Sequence, residues 1–100
     1  MNGLILLRCI CDETRFRILE VLQEEKEMCV SDLVSELKRD QPLVSHHLRA
    51  LKRCGIVRVR ENGKMAMYSI ANNDISRLIN DITAASKKMV KICEDPSCCA

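Results

Sequence analysis

Apolar positions along the chain form short runs with recognisable periods, set apart by polar punctuation. Leu4 to Ile10 is apolar and brief, enough for one or two helical turns. From Asp12 the period becomes helical. Phe16, Leu19 and Leu22, with the flanking Ile18, form a stripe that runs to about Glu24. Asp12 is suited to cap this helix, with Glu13 in its first turn. Glu24, Glu25, Lys26 and Glu27 interrupt the pattern. Ser31 is then a suitable N-cap for a short helix over Asp32 to Leu37, with Leu33, Val34 and Leu37 pointing inward. Asp40 restarts the helical period. Pro42 is tolerated in a first turn, where its missing N–H has no intrahelical partner. This helix is expected to run to about Cys54 and to stop at Gly55, a fitting C′ residue. Two short helices joined by a tight turn, about residues 31–54, read as a helix-turn-helix.

The period then switches to two. Ile56-Val57-Arg58-Val59-Arg60-Glu61 is followed by Asn62-Gly63 and by Lys64 to Ile70. Asn-Gly between two strand-like runs is a strong hairpin signal, and it predicts a wing over about 56–70. Arg58 and Arg60 alternate with Val57 and Val59, as the two faces of a ribbon require. Asn72 or Asn73 next caps a long helix over about 73–92. Its apolar face carries Ile75, Leu78, Ile79, Ile82, Ala85, Met89 and Ile92. A cysteine-bearing tail occupies 93–100. The order predicts one mainly α domain over 1–100 with a two-stranded β-hairpin wing, a winged helix-turn-helix.

Composition narrows the class. At 100 residues with 47% hydrophobic residues, the chain is long enough for one core and too short for two. It has no eighteen-residue apolar run, so no membrane span is expected. The opening MNGLILLRCIC places four apolar residues before Arg8 with no basic n-region. It does not read as a signal peptide, and a cytoplasmic protein is expected. The seven cysteines then read as reduced thiols, structural, metal-binding or redox-active, rather than as a disulfide scaffold. Phe16 and Tyr68 are the whole aromatic complement, which argues against surfaces that stack single-stranded bases.

Charge changes the picture more. The net charge is +2, yet residues 38–64 hold eight basic side chains (Lys38, Arg39, Arg49, Lys52, Arg53, Arg58, Arg60 and Lys64) against Asp40 and Glu61. That segment carries +6 and the remainder −4. A basic middle is what a duplex-binding surface needs, since phosphate neutralisation supplies much of its affinity; a solvated charged face is the plainer meaning of such a run. On the helix from Gln41, at about 100° per residue, Gln41, Lys52, Ser45, Arg49, Pro42, Arg53 and His46 share one arc of about 140°. Val44, Leu48 and Leu51 lie on the opposite arc. Docked by those three, the helix presents Gln41, Ser45, His46 and Arg49 to base edges: glutamine pairs with adenine, arginine with guanine, serine with either. Lys52, Arg53 and Arg39 suit phosphates. His47 falls beside the apolar arc, where a histidine packs or bonds to a neighbouring helix. Arg60, Lys64 and the Asn62-Gly63 tip are candidates for the minor groove or the backbone. Tyr68 is expected against the base of the wing.

These residues resemble a known family, the ArsR-type metalloregulators. The likeness covers nearly the whole chain. It rests on Asp12-Glu13-Thr14-Arg15-Phe16-Arg17-Ile18-Leu19, on Val30-Ser31-Asp32-Leu33, and above all on Gln41-Pro42-Leu43-Val44-Ser45-His46-His47-Leu48-Arg49-Ala50-Leu51 followed by Gly55-Ile56-Val57. It implies a homodimeric winged-helix repressor, with the first and last helices forming the dimer interface and a ligand lowering DNA affinity. The residues agree on dimerisation. Leu4, Ile5, Leu7, Ile10, Ile82, Met89 and Ile92 are more apolar surface than a monomer of this size easily covers. A two-fold dimer also sets two recognition helices one helical turn apart, as a near-palindromic operator requires.

The sensing sites of the family vary, and this chain departs from two of them. The metalloid motif E-x-C-V-C-D-L appears here as Glu27-Met28-Cys29-Val30-Ser31-Asp32-Leu33, with Ser31 in place of the second thiolate. The carboxylate–histidine zinc site of the last helix keeps Asp74 and Asp81 but has no histidine there. The tail offers Cys93, Cys98 and Cys99, with Pro96 breaking the helix between them. Three thiolates suit arsenite, antimonite or a soft divalent metal, and the same tail can instead oxidise to a disulfide or have no sensing role. Glu94 and Asp95 disfavour the thiolate form. Cys9 and Cys11, with Cys29 approaching across a dimer, form a second candidate site. Cys54, before Gly55, reads as a small buried hydrophobe. No cofactor is required by any motif.

The function expected is a sequence-specific duplex-DNA-binding transcriptional regulator, a repressor released by a soft metal or metalloid or by thiol oxidation. The alternatives are a winged-helix protein-interaction module with an acidic partner and a thiol-based metal buffer. An enzyme is not expected, because no nucleophile–base pair, carboxylate pair or phosphate loop is present.

Overall fold

A computed structural model describes residues 2–89. Seven elements follow one another: α1 (Gly3–Ile10), α2 (Glu13–Glu25), α3 (Val30–Leu37), α4 (Gln41–Arg53), β1 (Val57–Asn62), β2 (Met65–Ile70) and α5 (Asn73–Met89). The order of helices, helix-turn-helix, hairpin and helix is the one expected. Asp12 caps α2 through its side chain, which accepts from the Arg15 amide. Asn72 does the same for α5 by accepting from Ile75.

Two helix starts differ from expectation. Cys29, not Ser31, is the N-cap of α3, and that helix begins at Val30. Ser31 lies in the first turn with its hydroxyl 3.2 Å from the Cys29 sulfur. Asp40 holds the N-cap position of α4 with no side-chain cap bond, so the Pro42 ring and tertiary packing start that helix.

The core collects the predicted stripes. Ile18, Leu19 and Leu22 of α2, Leu33 of α3, Val44, Leu48 and Leu51 of α4, Ile56 and Ile79 are almost completely buried. A fully buried aliphatic side chain of this kind contributes about 1.5–3 kcal/mol. α3 reaches α4 through Lys38, whose left-handed backbone (φ 56°) ends α3. Gly55 (φ 75°) ends α4 as expected.

The hairpin forms, one step along from where its turn signal lies. Asn62 pairs with Met65, so the loop is Gly63-Lys64 rather than Asn62-Gly63. Gly63 takes a positive φ of 66° at the first loop position, where a type II′ turn places glycine. Each β1 residue therefore faces a partner two positions further along β2, and since side chains repeat every two residues the faces are unchanged. Val59 lies opposite Tyr68. Tyr68 is itself anchored by two backbone bonds to Met28, of 2.8 and 3.0 Å. That bridge ties β2 to the segment before α3. Tyr68 packs against the core at the wing base, where it was expected.

Candidate nucleic-acid interface

The docking stripe of α4 leaves its other face in solvent. Gln41, His46, Arg49, Lys52 and Arg53 are exposed, and Ser45 is half-buried. Leu43 joins them at 40% exposure. A spacing argument passes over it because an apolar side chain is assigned to the core by default. On this face its side chain is of the apolar kind that meets a thymine methyl.

Beneath that face, His47 is buried and bonded across helices. Its Nδ1 accepts from the Arg15 Nε–H at 3.0 Å, and its Nε2 lies 3.7 Å from a carboxylate oxygen of Asp12. Burial, against the pull of Asp12, holds its pKa below the ordinary 6.5, and the positive Arg15 and neighbouring His46 act in the same direction as burial. The ring is neutral with its proton on Nε2, and it orients α4 against the start of α2. This is the helix-bonding histidine the spacing indicated. The signal missed was Arg15, which also donates to the Cys9 carbonyl at 3.3 Å and so ties α1, α2 and α4 at one junction.

The basic residues do not act as one set. Arg39 is half-buried and its Nη2 is 3.6 Å from Glu13. Arg60 leans back from the wing onto Glu27, with bonds of 2.6 and 2.8 Å. The pair lowers the Glu27 pKa and raises that of Arg60. Glu27 is placed for this by Lys26, whose φ of 74° and ψ of −55°, with a Glu27 N–H to Glu25 carbonyl bond of 2.9 Å, describe a γ-turn. Lys64 stands exposed at the wing tip, and Arg58 is exposed on the Arg60 face of β1. Arg49, Lys52, Arg53, Arg58 and Lys64 make no ion pair among the described residues.

The thiols sort differently from expectation. Cys9 is joined to Cys54 in a disulfide. Cys54 is thus half-buried and bonded rather than a small buried hydrophobe, because the end of α1 packs on the end of α4. Cys11 is exposed, and Cys29 is buried beside Ser31. Within one chain, Cys9, Cys11 and Cys29 are not gathered, and no cluster of three or more metal-ligating side chains occurs among the described residues. Cys93, Cys98 and Cys99 lie outside the described residues, as does Ile92.

Known proteins resemble this chain in family pattern, in sequence and in structure. The pattern described as "Bacterial regulatory protein, arsR family" matches residues 12–59, from the cap of α2 into β1. An uncharacterized HTH-type transcriptional regulator of Methanocaldococcus jannaschii is 43% identical over 68% of this chain and 76% of its own. A cadmium resistance transcriptional regulatory protein CadC homolog of Staphylococcus aureus is 32% identical over 85% of this chain and 70% of its own. Among solved structures, the homodimeric winged helix-turn-helix DNA-binding domain Mb0332 of Mycobacterium bovis superposes with a TM-score of 0.75 at 26% identity, covering 81% of this chain and 74% of that one.

Proposed function

The chain belongs to the ArsR family of bacterial regulatory proteins, DNA-binding transcriptional regulators of winged helix-turn-helix fold, and from that premise we propose how it reads DNA and what releases it. It works as a two-fold dimer on a near-palindromic duplex operator. The observation that carries this is the exposed face of α4. Gln41, Ser45, His46 and Arg49 meet base edges in the major groove, while Lys52, Arg53 and Lys64 hold phosphates. Arg39 and Arg60 serve the interface at second hand, since Glu13 and Glu27 already hold them. Dimerisation rests on α1 and α5, where Leu4, Leu7 and Met89 are more than half exposed; the Mycobacterium relative is described as homodimeric.

The releasing ligand is a soft ion taken by thiolates. The Staphylococcus relative is named for cadmium resistance, and the tail of this chain supplies three cysteines within seven residues. The second set fits such an ion poorly inside one protomer, since Cys9 already has a sulfur partner in Cys54.

Duplex binding titrated against salt tests the first part. A steep fall in affinity, with a log–log slope of about −0.9 per phosphate contact, together with a sequence preference, is expected. Indifference to duplex DNA would sink the reading. For the ligand, cadmium or arsenite is added to the complex of wild type and of the Cys93, Cys98 and Cys99 serine variants. Release from wild type alone is expected, and equal release from all would remove the tail site.

A further inference from the structure

Cys9 and Cys54 are 45 residues apart in sequence, yet the fold places their Cα atoms 6.8 Å apart with the sulfurs joined. Cys9 sits in the last turn of α1 and Cys54 is the C-cap of α4. Their surroundings differ. Cys9 is buried at 7% exposure. Cys54 is half-buried and lines an open cleft of about 310 Å³ together with Asn2, Leu6, Gly55 and Ile75. Cys54 is therefore the partner nearer solvent, and Cys9 the more deeply buried one.

The same junction has a second tie. Arg15 bonds the Cys9 carbonyl and the His47 ring at once. The end of α1 is held to α4 by a polar bridge that ignores redox state and by a sulfur link that depends on it. With the link open, the Arg15 bonds still tie the end of α1 to α4.

We propose that Cys9 and Cys54 are a reversible thiol–disulfide pair that responds to small-molecule disulfides and sets how freely α4 moves against α1. This deepens the DNA-binding reading above and rests on it. The Cys54 thiolate attacks one sulfur of the small disulfide, expelling a small thiolate that takes up the proton Cys54 released. The mixed disulfide is then attacked at the Cys54 sulfur by the Cys9 thiolate. The second small thiolate leaves and is protonated by the proton from Cys9. The protein loses two electrons and two protons, and the small disulfide gains both as it becomes two thiols.

Two recognition helices must enter successive major grooves about 34–36 Å apart. Their spacing is set by the helices of the dimer contact, of which α1 is one. Oxidation pins α4 to α1 and removes the adjustment that groove entry needs. Reduction restores it. Coupling between sites of this kind runs from about 5-fold to 150-fold in affinity.

The test uses the whole chain, equilibrated with mixtures of reduced and oxidised glutathione over a wide range of ratios. Free thiols are trapped by alkylation, linked peptides are mapped by mass, and duplex affinity is measured on the same samples. The Cys9–Cys54 peptide is expected to rise from trace to complete within the range, with duplex affinity falling at least ~5-fold in step. Cys54→Ser and, separately, Cys9→Ser are expected to keep the reduced affinity under the oxidising mixtures. A link present at every ratio makes the pair a fixed staple and overturns the proposal. So does a pair that never forms, or a wild-type affinity that is unchanged or rises as the pair oxidises. Failure of the fully reduced protein to bind any duplex overturns the DNA reading beneath it, and the thiol titration, which needs no DNA, tells that failure from the others.

Discussion

Arg49 and Lys52 stand three residues apart on the exposed arc of α4, and they differ in what they can read. A guanidinium pairs with guanine through two parallel bonds, whereas an ammonium is a point charge suited to phosphate. Arg49→Ala is expected to cost about 1–3 kcal/mol on the preferred operator and to flatten the preference at one position. Lys52→Ala is expected to weaken all duplexes alike and to reduce the salt slope by about 1. Binding isotherms on matched and scrambled duplexes at several salt concentrations separate the two. His47 gives a pH prediction. Its folded pKa lies below its ordinary 6.5, chiefly through burial, so below that value the unfolded chain binds the proton more readily than the folded one. Stability must then fall as pH drops from 6.5 through the lowered folded value. Denaturant midpoints at pH 7 and pH 5.5 check this, and His47→Gln is expected to remove much of the difference between them. His47 was legible from its angle on α4 alone. Arg15, 32 residues upstream, was not, because no local pattern says which distant side chain will meet a ring.

The elements were legible where their own periods spoke. α2, α4 and the ribbon alternation of Val57, Arg58, Val59 and Arg60 are all visible as spacing. Where they start and turn was less so. The start of α3 moved from Ser31 to Cys29, and the hairpin loop moved one residue, with Gly63 at its first position in the positive-φ conformation a type II′ turn requires. Leu48 is wholly buried on the docking stripe of α4. Leu48→Ala should cost about 2–5 kcal/mol of stability, read from denaturant midpoints, by leaving a cavity beneath the recognition face. The wing has a separate fastening in the Glu27–Arg60 pair. Open to solvent as it is, the pair contributes little to stability, and its effect falls on where Arg60 points. Glu27→Gln frees that guanidinium for phosphate. Duplex affinity at low salt is expected to rise a few-fold with a steeper salt slope, and an unchanged slope would show that Arg60 does not reach DNA even when released.

Taken whole, the molecule leaves large apolar side chains of α1 and α5 in solvent. Leu4, Leu7 and Met89 are 58%, 56% and 57% exposed, while the docking stripe of α4, Val44, Leu48 and Leu51, is wholly buried. Large apolar side chains left this exposed on α1 and α5 of a small domain fit a second copy. Leu4→Glu with Leu7→Glu is expected to shift the protein to monomer in sedimentation while the helical content of the domain persists. Losing the second recognition helix should then weaken operator binding by about 100-fold or more. An intact dimer in that variant would place the contact elsewhere. Among the described residues no helix is long and apolar enough to cross a membrane.

Local periodicity was enough for the class of fold, the order of its elements, the outward face of α4 and the concentration of positive charge in residues 38–64. Those features depend on neighbours within a turn or a pleat, and such distances are fixed by helix and strand geometry. Tertiary packing decided which charges are free and which are spent on partners: Arg60 on Glu27, Arg39 near Glu13, Arg15 shared between Cys9 and His47. It also decided that Cys9 meets Cys54 rather than Cys11 or Cys29. Side chains far apart in sequence come together only when the core folds, since closing that length of chain is uphill until buried apolar contacts hold it shut.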